Sequence, residues 1–251
     1  MKNRYFVQLS YKGTQYHGWQ VQPNAVSVQE SLNEAFSKIF REKIEVTGAG
    51  RTDTGVHAIN YIAHFDSEKD KLDCDNKIIF KLNSYLPNDI AIYKIMHVIP
   101  EAHARFDAIS RTYHYRIHQH KDPFLKEISW FYPFKLDIEL MNKAAELLLT
   151  FTDFTSFSKL HTDVKTNHCR ITEANWLAEN NHLTFVITAD RFLRNMVRAI
   201  VGTLLDVGKN KISLIDFIQI IENKNRSDAG LSVPAHGLFL MQVAYPDKLF
   251  L

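Results

Sequence analysis

Arg4-Tyr5-Phe6-Val7-Gln8-Leu9-Ser10-Tyr11, and after a loop Ser27-Val28-Gln29-Glu30-Ser31-Leu32-Asn33-Glu34-Ala35-Phe36-Ser37-Lys38-Ile39-Phe40, set a strand before a helix. Tyr5, Val7, Leu9 and Tyr11 fall at every second position, so 4–11 reads as a strand with one buried face. Ser27 with Glu30 three residues on is a capping-box signal, and Val28, Leu32, Ala35, Phe36, Ile39 and Phe40 repeat at helical spacing over 28–40. The pattern continues with short strands at 44–48 and 59–66, a helix at 76–85 ended by Leu86-Pro87-Asn88-Asp89, and a strand at 90–99. The first half thus runs β-α-β-β-α-β.

The second half repeats that order. A strand fits 111–118, a helix 138–149 after Asp137, strands 171–177 and 182–188, a helix 191–207 ended by Gly208, and a last strand 238–244. An extra helix at 214–223 starts from Ser213, with Asp216 three along. The expected fold class is α+β: two ferredoxin-like halves, 1–104 and 105–251, with mainly antiparallel sheets flanking a central catalytic cleft. Segments 12–26, 48–58, 119–136 and 154–168 are the long loops, where function concentrates.

Composition is that of an ordinary globular chain: 251 residues, 45% hydrophobic, 9 Gly and 7 Pro, which argues against disorder and collagen. No apolar run approaches the roughly 18 residues a bilayer span needs, and the start Met1-Lys2-Asn3-Arg4 leads straight into a strand pattern, so neither a membrane helix nor a signal peptide is expected. Cys74 and Cys169 are too far apart to read as a redox pair or zinc knuckle; reduced thiols and a cytoplasmic location are expected. The formal net charge is +2. Basic residues nevertheless cluster: 111–121 has Arg111, Arg116, Lys121 and three histidines without an acid, and 191–211 sets Arg191, Arg194, Arg198, Lys209 and Lys211 against Asp206. Such patches suit an enzyme that grips phosphates and releases them, and equally suit solvated helix and strand faces.

Loop 48–58 reads Gly48-Ala49-Gly50-Arg51-Thr52-Asp53-Thr54-Gly55-Val56-His57-Ala58. It lacks the third glycine of a dinucleotide fingerprint and the Gly-Lys-Ser/Thr of a Walker loop. An acid held between glycines, with an arginine two residues before it, remains; the alternative is a tight turn in which Asp53 bonds its own backbone. The motif Gly-Arg-Thr-Asp-x-Gly-Val-His-Ala resembles the signature of the tRNA pseudouridine synthase A family. Further blocks resemble that family in order: Tyr16-His17-Gly18-Trp19-Gln20, Arg105-Phe106 with Arg111-Thr112-Tyr113-His114-Tyr115, Phe192-Leu193-Arg194-Asn195-Met196-Val197-Arg198 with Val201-Gly202, and Ala235-His236-Gly237-Leu238-Phe239-Leu240. They span nearly the whole chain.

The resemblance implies an isomerase that converts uridine to pseudouridine in the tRNA anticodon stem-loop, at positions 38, 39 and 40, without cofactor or metal. Asp53 is then the essential aspartate, acting on the sugar as nucleophile or base. A paired second carboxylate, as in glycoside hydrolases, is not needed, and the next acid, Asp66, falls at the end of the following strand. The resemblance makes Arg198 the cation that pairs with Asp53, since a planar guanidinium holds both oxygens and does not titrate. Arg191, Arg194 and Arg198 fall on one helical stripe, for which a solvated basic face is the ordinary account. Tyr113 is placed against the uracil and takes the C5 proton, with core packing the alternative for the row Tyr113, Tyr115, Ile117. A stacked uridine must be flipped out, with Arg51 entering the gap unless it is a surface salt-bridge arginine. Phosphate contacts would come from His103, Arg105, Arg111, Lys71 and the loop Ser158-Lys159-Leu160-His161-Thr162.

That last loop departs from the family pattern, which has small residues and Cys-Gln where this chain has Leu160-His161-Thr162-Asp163. His114, His118 and His120 lack a nearby cysteine or acid to complete a metal site. The resemblance also implies a homodimer with each tRNA crossing both subunits. Two rivals remain: a noncatalytic RNA-binding module, for which an acid in a basic groove has no use, and a cofactor-free glycosidase, which wants a second carboxylate.

Overall fold

The computed structural model describes residues 2–159 and 166–251. Among the described residues it is a mixed α/β structure with five α-helices and mainly antiparallel strand pairing. The chain divides into two compact units, Met1–Ile109 with Leu240–Leu251, and Ser110–Phe239. Among the described residues, no helix is long and apolar enough to cross a membrane.

Unit 1 contains β1 (Asn3–Tyr11), α1 (Val28–Phe40), β2 (Thr47–Gly48), β3 (His57–Ser67), α2 (Asn76–Tyr85) and β4 (Ile90–Val98). β1 is flanked by β3 and β4 and is antiparallel to both, while β2 pairs antiparallel with β3. The helix expected over 28–40 forms there because the Ser27 hydroxyl accepts the Glu30 N–H and Val28, Leu32, Ala35 and Phe36 are buried on one side. Phe36 packs edge-on against Phe65 of β3 at 4.9 Å, and Tyr5 of β1 stacks on the same ring.

Two expectations change here. β1 keeps one fully buried face and adds one buried position on the other: Phe6 is inaccessible, because Tyr245 and Phe250 return to cover it with ring centroids at 5.0 and 6.0 Å, while Arg4, Gln8 and Ser10 stay half-buried. Of the expected strand 44–48 only Thr47–Gly48 pairs. Side chains of α1 take the rest: Ser37 Oγ and Asn33 Oδ1 accept the Ile44 and Val46 N–H groups at 3.0 and 2.8 Å, and Gln29 donates to the Val46 carbonyl at 2.7 Å. A main chain already satisfied by helix side chains has no call on a neighbouring strand.

Unit 2 contains β5 (Ser110–His118), β6 (Trp130–Phe131), α3 (Ile138–Leu147), β7 (Ile171–Glu179), β8 (His182–Ala189), α4 (Met196–Gly208) and α5 (Leu214–Glu222). β8 lies antiparallel between β5 and β7, and β6 runs parallel to β5. β9 (Leu238–Ala244) carries the chain back towards unit 1. α5 has the full capping box of Ser213 and Asp216. α4 buries 11 of its 13 residues and is the core helix.

The helix expected from residue 191 begins only at Met196. Asn195 is left-handed (φ 66°), and a continuous helix cannot pass through that conformation. Arg191 and Arg194 therefore precede the helix, and the basic stripe expected from 191, 194 and 198 does not exist.

The outermost strand of each unit is closed by one asparagine. Asn83 of α2 receives the Ile92 N–H at 2.7 Å and donates to the Ile92 carbonyl at 2.8 Å. Asn142 of α3 does the same for Trp176 of β7, at 2.7 and 3.2 Å. A side-chain amide stands in for the missing neighbour strand.

Candidate active site

The Asp53 loop joins β2 to β3 and is held by main-chain and aromatic contacts from β1, β3 and segment 12–19. Ala49 N–H donates to the Ile62 carbonyl at 2.9 Å. The Tyr61 phenol takes the Gly50 N–H at 3.3 Å and donates to the Gly50 carbonyl. The Tyr11 phenol bonds Thr52 Oγ1 at 2.9 Å, and Trp19 N–H donates to the Thr52 carbonyl at 3.3 Å. Beyond Asp53, Val56 N–H closes a turn onto the Asp53 carbonyl at 3.1 Å, with Gly55 at φ 79°. A tight turn thus follows Asp53, closed between main-chain groups.

The block Tyr16-His17-Gly18-Trp19 thereby gains a physical role. Gly18 sits at φ 90°, and a Cβ there would stand 2.3 Å from the Thr52 carbonyl oxygen, so only glycine lets the two segments touch. Trp19 stacks on Tyr61 at 4.2 Å, and Tyr11 meets Tyr61 edge-on at 5.6 Å. The buried His57 accepts the Gly13 N–H on Nδ1 at 3.0 Å, which leaves its proton on Nε2.

Asp53 is half-buried and Arg51 exposed, both on this tethered loop. Asp66 is committed elsewhere: Arg4 grips both its oxygens at 2.7 and 2.8 Å, holding its carboxyl below the usual range. His103 and Arg105 share another turn. His103 Nδ1 accepts the Arg105 and Phe106 N–H groups at 3.1 and 3.4 Å, and its ring meets His64 at 4.6 Å. Burial pushes the His103 pKa down, which favours the neutral ring. Arg105 is exposed over the Phe106 ring. Lys71 is exposed on a third turn, in a left-handed conformation (φ 56°).

In unit 2, Tyr113 of β5 is half-buried and meets Phe192 edge-on at 5.1 Å. Its neighbour on the same side, Tyr115, is the core tyrosine: it is fully buried, donates to the Pro234 carbonyl at 2.8 Å, and burial drives its pKa far up. Arg198 stands in the first turn of α4, where its Nε donates to the Val233 carbonyl at 2.7 Å. Segment 230–233 reaches α4 through Gly202, where a Cβ would stand 1.8 Å from the Leu231 carbonyl oxygen. Gly237 leaves room for the Tyr115 ring. Arg111 donates to the Asp190 carbonyl at 2.7 Å, and Lys159 is exposed with its N–H on the Arg194 carbonyl. Leu160, His161 and Thr162 lie outside the described residues. Among the described residues, no group of three His, Cys, Asp or Glu side chains is disposed to hold a metal.

Tyr11, Trp19, Tyr61 and Val233 were not singled out by the motifs as site residues. Alternation assigns Tyr11 and Tyr61 to buried strand faces, but the partners of their hydroxyls depend on chain far away in sequence.

A family model described as tRNA pseudouridine synthase matches residues 9–107 and 144–246. The chain belongs to the tRNA pseudouridine synthase family. It is 56% identical over 255 residues to a tRNA pseudouridine synthase A of Porphyromonas gingivalis, with 99% of each chain covered. A protein of the same name from Bacteroides fragilis is 55% identical over 248 residues, 98% of each chain, and one from Clostridium acetobutylicum is 41% identical over 241 residues, 95% of this chain and 98% of that one. The Asp53 loop and its Tyr16–Gln20 clamp fall in the first matched segment and the Arg198 helix and the Ala235–Leu240 block in the second, while Arg111-Thr112-Tyr113-His114-Tyr115 lies between the two.

Proposed function

We propose that this chain isomerises uridine to pseudouridine in the anticodon stem-loop of tRNA, at positions 38, 39 and 40. Asp53 is the carboxylate that acts at the sugar, Arg198 the guanidinium that pairs with it, and Tyr113 the aromatic that faces the uracil and takes the C5 proton. Arg51 enters the space the flipped base leaves, and Arg105, Arg111, Lys71, Lys159 and His103 contact phosphates. The observation that carries this reading is the match to proteins named tRNA pseudouridine synthase A over nearly the full length of both chains; in this chain Asp53 lies on a loop anchored at Gly50 and Thr52. The pairing of Asp66 with Arg4 supports a single reacting carboxylate and disfavours hydrolysis by two.

The β4-β1-β3-β2 order of unit 1 and the β5-β8-β7 order of unit 2 support two ferredoxin-like halves, the first carrying the Asp53 loop and the second Tyr113 and Arg198. The working form is a homodimer in the cytoplasm, each tRNA crossing both subunits.

The test is tritium release from tRNA labelled at uridine C5, wild type against Asp53→Ala. Release by the wild type and none by the variant is expected. Binding without release would leave an RNA-binding module, and free uracil a hydrolase.

A further inference from the structure

We infer that Tyr61 is a positioning residue for Asp53. This inference rests on the reading of Asp53 as the reacting carboxylate. β3 begins four residues beyond Asp53, and its pairing with β1 sets Tyr61 opposite Leu9. The phenol leans back from that strand and occupies both polar groups of Gly50, the N–H as acceptor and the carbonyl as donor. Its ring is fixed in turn. Trp19 lies flat against it with centroids at 4.2 Å and planes 23° apart, and Tyr11 stands edge-on at 5.6 Å. Tyr61 is fully buried, Tyr11 and Trp19 each only 3% exposed.

The consequence is mechanical. Arg51, Thr52 and Asp53 follow Gly50 in a segment with no helix or strand of its own. The Tyr61 phenol holds it at Gly50 and the Tyr11 phenol at Thr52, so two buried hydroxyls from two strands aim the carboxylate. Gly48 shows how tight this seat is: a Cβ there would stand 2.2 Å from the Tyr61 hydroxyl and 2.5 Å from the Trp19 ring. A group that only filled space would need the ring and not the hydroxyl. Removing the hydroxyl alone keeps the aromatic stack and releases Gly50, and misplacement of a reacting group by about 1 Å costs up to roughly 100-fold in rate.

Steady-state tritium release from C5-labelled tRNA on the full chain, with thermal melting alongside, tests this for wild type, Asp53→Ala, Tyr61→Phe and Tyr11→Phe. Tyr61→Phe is expected to lower kcat roughly 10- to 100-fold with KM within about twofold of wild type and melting little changed. Combined with Tyr11→Phe, the loss should fall short of the product of the two, because both act on one loop. A wild-type kcat for Tyr61→Phe overturns the inference, as does a loss that tracks a fall in melting temperature and a rise in KM. If Tyr61→Phe does not fold, Tyr11→Phe decides alone: reduced kcat at unchanged KM supports the tether, and unchanged kcat overturns it. An active Asp53→Ala instead removes the reading of Asp53 itself, and the inference with it.

Discussion

Arg198 and Val233 hold each other twice: the guanidinium Nε donates to the Val233 carbonyl at 2.7 Å, and the Val233 N–H donates to the Arg198 carbonyl at 3.2 Å. One edge of the fork is spent on this anchor, which sets the direction of the remaining nitrogens. A lysine has a single ammonium and cannot both keep the Val233 contact and meet a carboxylate side-on. Arg198→Lys is therefore expected to lower kcat by roughly 100-fold while the protein still folds. Tritium release measures it, and a variant within about twofold of wild type would contradict the proposed pairing with Asp53.

Gly18→Ala combines a left-handed backbone with a Cβ 2.3 Å from the Thr52 carbonyl oxygen. The neighbour is main chain and cannot swing aside. We expect a loss of about 2 kcal/mol or more in urea unfolding, together with reduced turnover, since the displaced atom lies one residue from Asp53. Wild-type stability in this variant would mean that the two segments do not touch in solution.

His64 makes stability fall on the acid side of neutrality. Its Nδ1 accepts the Ala104 N–H at 3.1 Å, and burial first, then His103 and Arg4, lower its pKa to about 4. An unfolded histidine takes up its proton near pH 6.5, whereas the folded one stays neutral until about pH 4. The contribution is thus complete above the unfolded pKa and lost progressively as pH falls across that window, by up to roughly 3 kcal/mol. Unfolding free energies at the two ends should show this drop, and His64→Gln should flatten it. Parallel curves for the two proteins would refute the assignment.

Asn83→Ala and Asn142→Ala each leave a main-chain N–H and carbonyl of a buried residue, Ile92 or Trp176, without the amide that served both. Each substitution is expected to cost about 1 to 3 kcal/mol in urea unfolding. Changes within experimental error would show that water replaces the amide at no loss.

Local signals account for what could be read in advance. α1 and α2 start and stop where cap and periodicity place them, and α5 carries its capping box in four residues. The departures come from distant partners or from single backbone conformations. Residues 44–46 have strand-like composition, yet Ser37, Asn33 and Gln29 on a helix claim their main chain. The apolar spacing through 191–207 is helical throughout, but Asn195 turns left-handed. At the site, the motif points to Asp53, Arg198 and Tyr113 as candidates. It is silent on Tyr61 and Tyr11, whose partners lie 11 and 41 residues away.

Unit 1 is made from two separate lengths of chain, and the second, Leu240–Leu251, follows the whole of unit 2. A ribosome delivers the intervening residues at about 5 to 20 per second, so on the order of ten seconds pass in which the Phe6 side of the first sheet lacks Tyr245 and Phe250. The contiguous unit is free to close first. The Asp53-bearing one waits for its last twelve residues with the Phe6 ring uncovered.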